Sequence, residues 1–97
     1  MIRVGKKTTY NGTIYGMPVY YQNRVVAWIR LEDNVPRFEI VDKSVAKTKL
    51  IYGPDGFPSW TSKKLLIDGV EVATITSIIN GRSWIDNLYI NPDIPRD

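Results

Sequence analysis

The chain has no cysteine and no histidine among its 97 residues. The first absence excludes disulfide stapling and a thiolate nucleophile, and the second removes the only side chain that ordinarily titrates near neutral pH. Together they exclude nearly all zinc and iron ligation, so no cofactor is expected and packing alone must hold the fold. Long apolar runs are missing too: no stretch approaches the roughly 20 residues that a membrane-spanning helix needs. The first residues enter a strand-like pattern rather than a basic region followed by an apolar leader. If Met1 is the natural start, the expected location is the cytoplasm or a virion; if the chain is an excised module, the compartment stays open.

What is present fits one small domain. Hydrophobic residues make up 43% of the chain, and charged residues, at 24%, are dispersed rather than blocked. That pattern reads as one core with an ordinary solvated surface. The net charge of +3 would attract a polyanion, such as nucleic acid, teichoic acid or an anionic membrane surface.

Residues 63–90, KKLLIDGVEVATITSIINGRSWIDNLYI, hold two turn signals between three β-forming runs. Asp68-Gly69 and Asn80-Gly81 tolerate the positive φ of a two-residue hairpin turn, which predicts a three-stranded antiparallel meander. Upstream, residues 2–9 alternate and run into a further hairpin signal at Asn11-Gly12. Residues 18–21 and 25–31, rich in Val, Ile, Tyr and Trp and separated by Gln22, Asn23 and Arg24, read as a second hairpin. Pro18 lacks a ladder donor and marks an edge or a strand start. Glu32, Asp33 and Asn34 form a polar break, residues 37–41 a half-buried strand, and residues 42–49 at most one helical turn before a strand at 49–52. Gly53 to Pro58 reads as an irregular loop, and residues 91–97, with two prolines, as a tail.

A regular register places Ile67 against Val70, Leu65 against Val72 and Lys63 against Thr74 across the first turn. Across the second it places Ile78 against Ser83 and Ser77 against Trp84. One face then carries Leu65, Ile67, Val70, Val72, Ile78, Ile85 and Tyr89, and the other Leu66, Ala73, Ile75, Ile79, Trp84, Leu88 and Ile90. Both faces are apolar, so the sheet must curl into a small barrel, shift its register at a bulge, or meet a partner.

Among candidate functional groups, the carboxylates form no spaced motif, and without an imidazole they suit turns and solvated positions better than acid–base work. Trp28 and Trp84, set in strands, read as core. The loop aromatics Phe57 and Trp60 are less needed for packing and stand as binding candidates. Tyr20 and Tyr21 must point to opposite faces, which makes one of them a surface aromatic. Lys43, Lys47, Lys49, Lys63 and Lys64, with Arg24 and Arg82 at loop tips, read either as an ordinary solvated face or as a cationic patch for an anionic ligand, the solvated face being favoured.

Residues 50–90 resemble the bacterial Src-homology-3-like wall-binding modules, especially the surface-layer-associated type. The matching positions are Tyr52, Gly56, Lys63, Lys64, Gly69, Val70, Val72, Asn80, Gly81 and Trp84. The resemblance implies a small all-β barrel that binds cell-wall polymer without catalysis, with Tyr52, Trp60, Lys63 and Lys64 as contacts.

The expectation is therefore an all-β domain over residues 1–97, a small barrel or strongly curled antiparallel sheet of hairpins. Its ligand-binding residues would be Tyr52, Phe57, Trp60, Lys63, Lys64, Tyr21, Arg24 and Arg82. The expected role is non-enzymatic binding of an anionic polymer, either wall polymer or nucleic acid. Two alternatives stay open: a small viral or mobile-element protein acting through a protein or nucleic-acid contact, and a structural subunit that forms homo-oligomers through β-edges.

Overall fold

The tight turns organise the chain. In the computed structural model, which describes residues 1–53 and 60–97, Asn11-Gly12, Gln22-Asn23, Asp33-Asn34 and Asp68-Gly69 each place two successive residues at positive φ, between 49° and 78°. That is the type I′ geometry whose twist matches paired strands. Asp33-Asn34, the expected polar break, is thus a hairpin turn like the others, because Asn and Asp accept the left-handed region.

The described residues form nine strands, four of whose junctions are these turns, and no helix. The first sheet holds β1 (Ile2–Val4), β2 (Thr8–Tyr10), β3 (Thr13–Tyr21), β4 (Arg24–Glu32) and β5 (Val35–Ile40). Its order is β1-β3-β4-β5, with β2 also paired to β3. The second is a plain meander of β6 (Ala46–Tyr52), β7 (Trp60–Ile67), β8 (Val70–Asn80) and β9 (Ser83–Ile90). All strand pairings within the sheets are antiparallel.

The all-β class is as expected, but neither sheet closes into a barrel or curls strongly: among the described residues each ends in unpaired edge strands, and β5 passes near β6 and β9 without bonding to either. The reason lies in residues 41–45. The amides of Val41 and Asp42 both donate to the Val26 carbonyl, and Ala46 then donates back to Asp42, closing one helical turn. The chain leaves the first sheet there and β6 begins a new one.

Pro18 lies inside the first sheet rather than at its rim, and its position explains why. The Gly5 amide donates to the Pro18 carbonyl, so that side of Pro18 faces the gap where β1 gives way to β2. The missing N–H is absent where the ladder is already interrupted.

Register slips decide which residues are covered. Leu66 opposes Glu71 and Ile67 opposes Val70, but Leu65 opposes Ala73, so Val72 is an extra residue in β8. This bulge, one of the three solutions to the two-sided apolar pattern, lets Val72 and Ala73 both be fully buried. At the other end Asn80 pairs with Ser83 and Ile78 with Ile85, which centres the turn on Gly81 and Arg82 instead of Asn80 and Gly81.

The core draws on both sheets: Val4, Met17, Val19, Val26, Ala27 and Ile29 from the first, and Ala46, Leu65, Ile67, Val72 and Ala73 from the second. Residues 91–97 are not a tail. Ile94 is 8% exposed and joins this core, the amides of Val4 and Asp97 donate to the carbonyls of Pro95 and Val4, and Arg3 pairs with Asp97. Pro95 spends its lone carbonyl on β1, so a segment unable to extend a regular ladder still seals its edge.

Candidate functional site

The second sheet is longer than its cover. On the face that meets the first sheet, successive cross-strand rows read Thr48, Leu65, Ala73, Ile90; then Leu50, Lys63, Ile75, Leu88; then Tyr52, Thr61, Ser77, Asp86. Leu65 and Ala73 are fully buried, Ile75 nearly so, and Leu50 and Tyr52 are 47% and 58% exposed. Burial thus fades along the strands as the first sheet runs out.

In that transition lies a groove of about 430 Å³, floored by the second and third rows and walled by Pro36, Arg37 and Phe38 of β5. Its chemistry is mixed. Phe38, Leu50, Tyr52 and Ile75 supply apolar and aromatic surface, Thr61 and Ser77 hydroxyls, Arg37 and Lys63 positive charge, and Asp86 one carboxylate. The Ser77 hydroxyl donates to Asp86, and Arg37 pairs with Glu32 at 3.1 Å, which holds its guanidinium at the rim.

Of the eight residues singled out from sequence, the groove gathers two, Tyr52 and Lys63. Lys64, next in the strand, must point to the opposite face, where it pairs with Glu71 at 3.1 Å. This ion pair, followed by a hydrogen bond from Thr74, holds the Glu71 carboxyl below its usual range. Trp60 is also on the opposite face, half-buried against Gly53, where a Cβ would come within 3.1 Å of its indole nitrogen. Phe57 lies outside the described residues. Arg82 sits exposed at the β8–β9 tip.

Tyr21 and Arg24 serve architecture. The Tyr21 ring packs on the core and its hydroxyl donates to Asp68 at 2.8 Å, tying two hairpin turns of different sheets together. That hydrogen bond, with partial burial and the nearby carboxylate, pushes the phenol above its ordinary value. Arg24 pairs with Asp42, which also accepts from the Ser44 backbone and hydroxyl. The Ser44 hydrogen bonds first, and the Arg24 contact next, hold the Asp42 carboxyl down at about 2.

Trp84, expected in the core, is 49% exposed near the β8–β9 tip, whereas Trp28 is half-buried with its ring 5.0 Å from Tyr15, edge to face. Sequence reasoning missed Arg37 and Phe38 because their strand reads as an ordinary half-buried one. Only its position opposite β6–β9 gives them a role. Among the described residues no cluster of carboxylates could hold a metal ion, and no helix is long and apolar enough to cross a membrane.

These features define an antiparallel two-sheet β protein with a groove at the margin of its core. No protein-family model, curated protein or solved structure matches the chain.

Proposed function

We propose that this chain is a non-enzymatic binding module whose ligand is a wall or surface polymer lying in the groove beside β5. The observation that carries the reading is the placement of exposed Tyr52 next to Lys63 and Arg37 over a floor of hydroxyls. An aromatic ring offers a stacking face to a sugar, hydroxyls and Asp86 exchange hydrogen bonds with its hydroxyls, and the two cations meet anionic substituents. Support also comes from the resemblance to Src-homology-3-like wall modules, since Tyr52 and Lys63 are among its matched positions. Asp86 is the one carboxylate among the groove's lining residues, and it accepts from the Ser77 hydroxyl, so it meets a ligand as a hydrogen-bond acceptor.

Isothermal titration of the protein with purified wall fragments, and separately with single-stranded nucleic acid, across a salt series tests the proposal. Wall polymer should bind, and Tyr52→Ala and Lys63→Ala should each weaken it about tenfold, the equivalent of ~1.4 kcal/mol. Lys64→Ala, on the opposite face, should bind as the parent does. Parent-like affinity in both groove variants would discard the groove, and preference for nucleic acid with a steep salt dependence would replace the ligand class.

A further inference from the structure

Beyond the groove, the end of the β8–β9 hairpin stands clear of the first sheet on both faces. Ile79 and Trp84 are exposed on the groove side, and Ile78, Ile85 and Tyr89 on the other, each between 42% and 55%. Of these, Trp84, Ile85 and Tyr89 belong to β9 itself, the strand at the sheet's edge.

The two edges of this sheet differ. β6 carries Lys47 and Lys49, both exposed, the kind of charge that discourages edge-to-edge pairing. Among the described residues β9 bonds only to β8, and its one charged side chain is Asp86, already held by Ser77 and turned to the groove face. Its outer face reads Ser83, Ile85, Asn87 and Tyr89, without a charge. β9 is an unguarded edge.

We propose that β9 pairs antiparallel with β9 of a second copy across a two-fold axis, joining two four-stranded sheets into one. Of the axes that β9 allows, the one at Asn87 forms the most aromatic–aliphatic pairs. Directly opposed residues share a face, so the axis must pass through a residue position. An axis at Asp86 sets two carboxylates against each other. An axis at Asn87 sets amide against amide, places Ile85 opposite the partner's Tyr89 twice by symmetry, and places Trp84 opposite the partner's Ile90. Aromatic–aliphatic cross-strand pairs of this kind stabilise sheets, and the contact is isologous and closed, so it stops at two copies.

Sedimentation equilibrium of the full chain from about 10 μM to about 1 mM should show the mass rising toward twice the 11.1 kDa of one chain. Ile85→Lys, on an exposed position outside the groove, should weaken that association at least tenfold while leaving the far-ultraviolet circular dichroism unchanged. Since the chain has no cysteine, Asn87→Cys should form a disulfide-linked dimer on mild oxidation, with both sulfurs at the axis, while Gln22→Cys at a remote turn should not. A single-chain mass throughout, an Ile85→Lys variant that associates as the parent does, or Gln22→Cys cross-linking as readily as Asn87→Cys would each overturn the proposal.

Discussion

Replacing Ile94 by Ala tests whether residues 91–97 belong to the core. Ile94 is 8% exposed and packs in the cluster that includes Val4, and its neighbours Pro95 and Asp97 exchange backbone hydrogen bonds with Val4. The substitution removes three carbons at about 0.8 kcal/mol each and leaves a cavity that β1 and the C-terminal segment can only partly close. The expected loss is about 2–4 kcal/mol, because the hydrogen bonds to Val4 hold the segment in place and resist collapse. For a chain of this size that lowers the melting temperature by roughly 10–20 °C. Urea denaturation followed by tryptophan fluorescence should show the midpoint falling with an unchanged m-value. A change below about 0.5 kcal/mol, typical of a surface site, would refute the reasoning and return the segment to the status of a tail.

Three further outcomes are expected. Gly16→Ala should destabilise by more than about 2 kcal/mol in the same assay, since Gly16 has φ 149° and a Cβ there would run into the Ile29 backbone carbonyl, whereas Gly12→Ala, with φ 78° but open space around it, should cost about 1 kcal/mol. Asp42, depressed from 3.8 to about 2 on folding, contributes stability that is complete above its unfolded value and lost as the pH falls from about 4 through 2; Asp42→Asn should be less stable at pH 6 and show a shallower acid decline in that window by circular dichroism. Tyr21, raised above 10.0, contributes stability that is present below pH 10 and lost as the pH rises past it, so Tyr21→Phe should be less stable at pH 8 and less sensitive to alkali, and a spectrophotometric titration of the parent should show one late phenol that the variant lacks.

The hairpins were legible because turn chemistry is local. Asn11-Gly12 and Asp68-Gly69 announce themselves by the scarcity of residues that accept positive φ, and the strands between them follow. The groove was legible only in part: Tyr52 and Lys63 were singled out as an aromatic and a cation in the right stretch, but Lys64 and Trp60 were grouped with them although strand alternation turns both away. Phe38, Arg37 and Asp86 carry no local mark, because what brings them to Tyr52 is the packing of one sheet against another.

The sequence by itself determined an antiparallel, hairpin-built β protein without thiol or imidazole chemistry, since steric limits on φ and the inventory of side chains act within a few residues. Only the tertiary structure decided the rest. It made two open sheets rather than a barrel, put the extra residue at Val72, brought Ile94 into the core and left Trp84 in solvent. Each of these depends on burial summed over contacts between residues far apart in the chain, and the cost or gain of exposing a side chain exists only once its neighbours are in place.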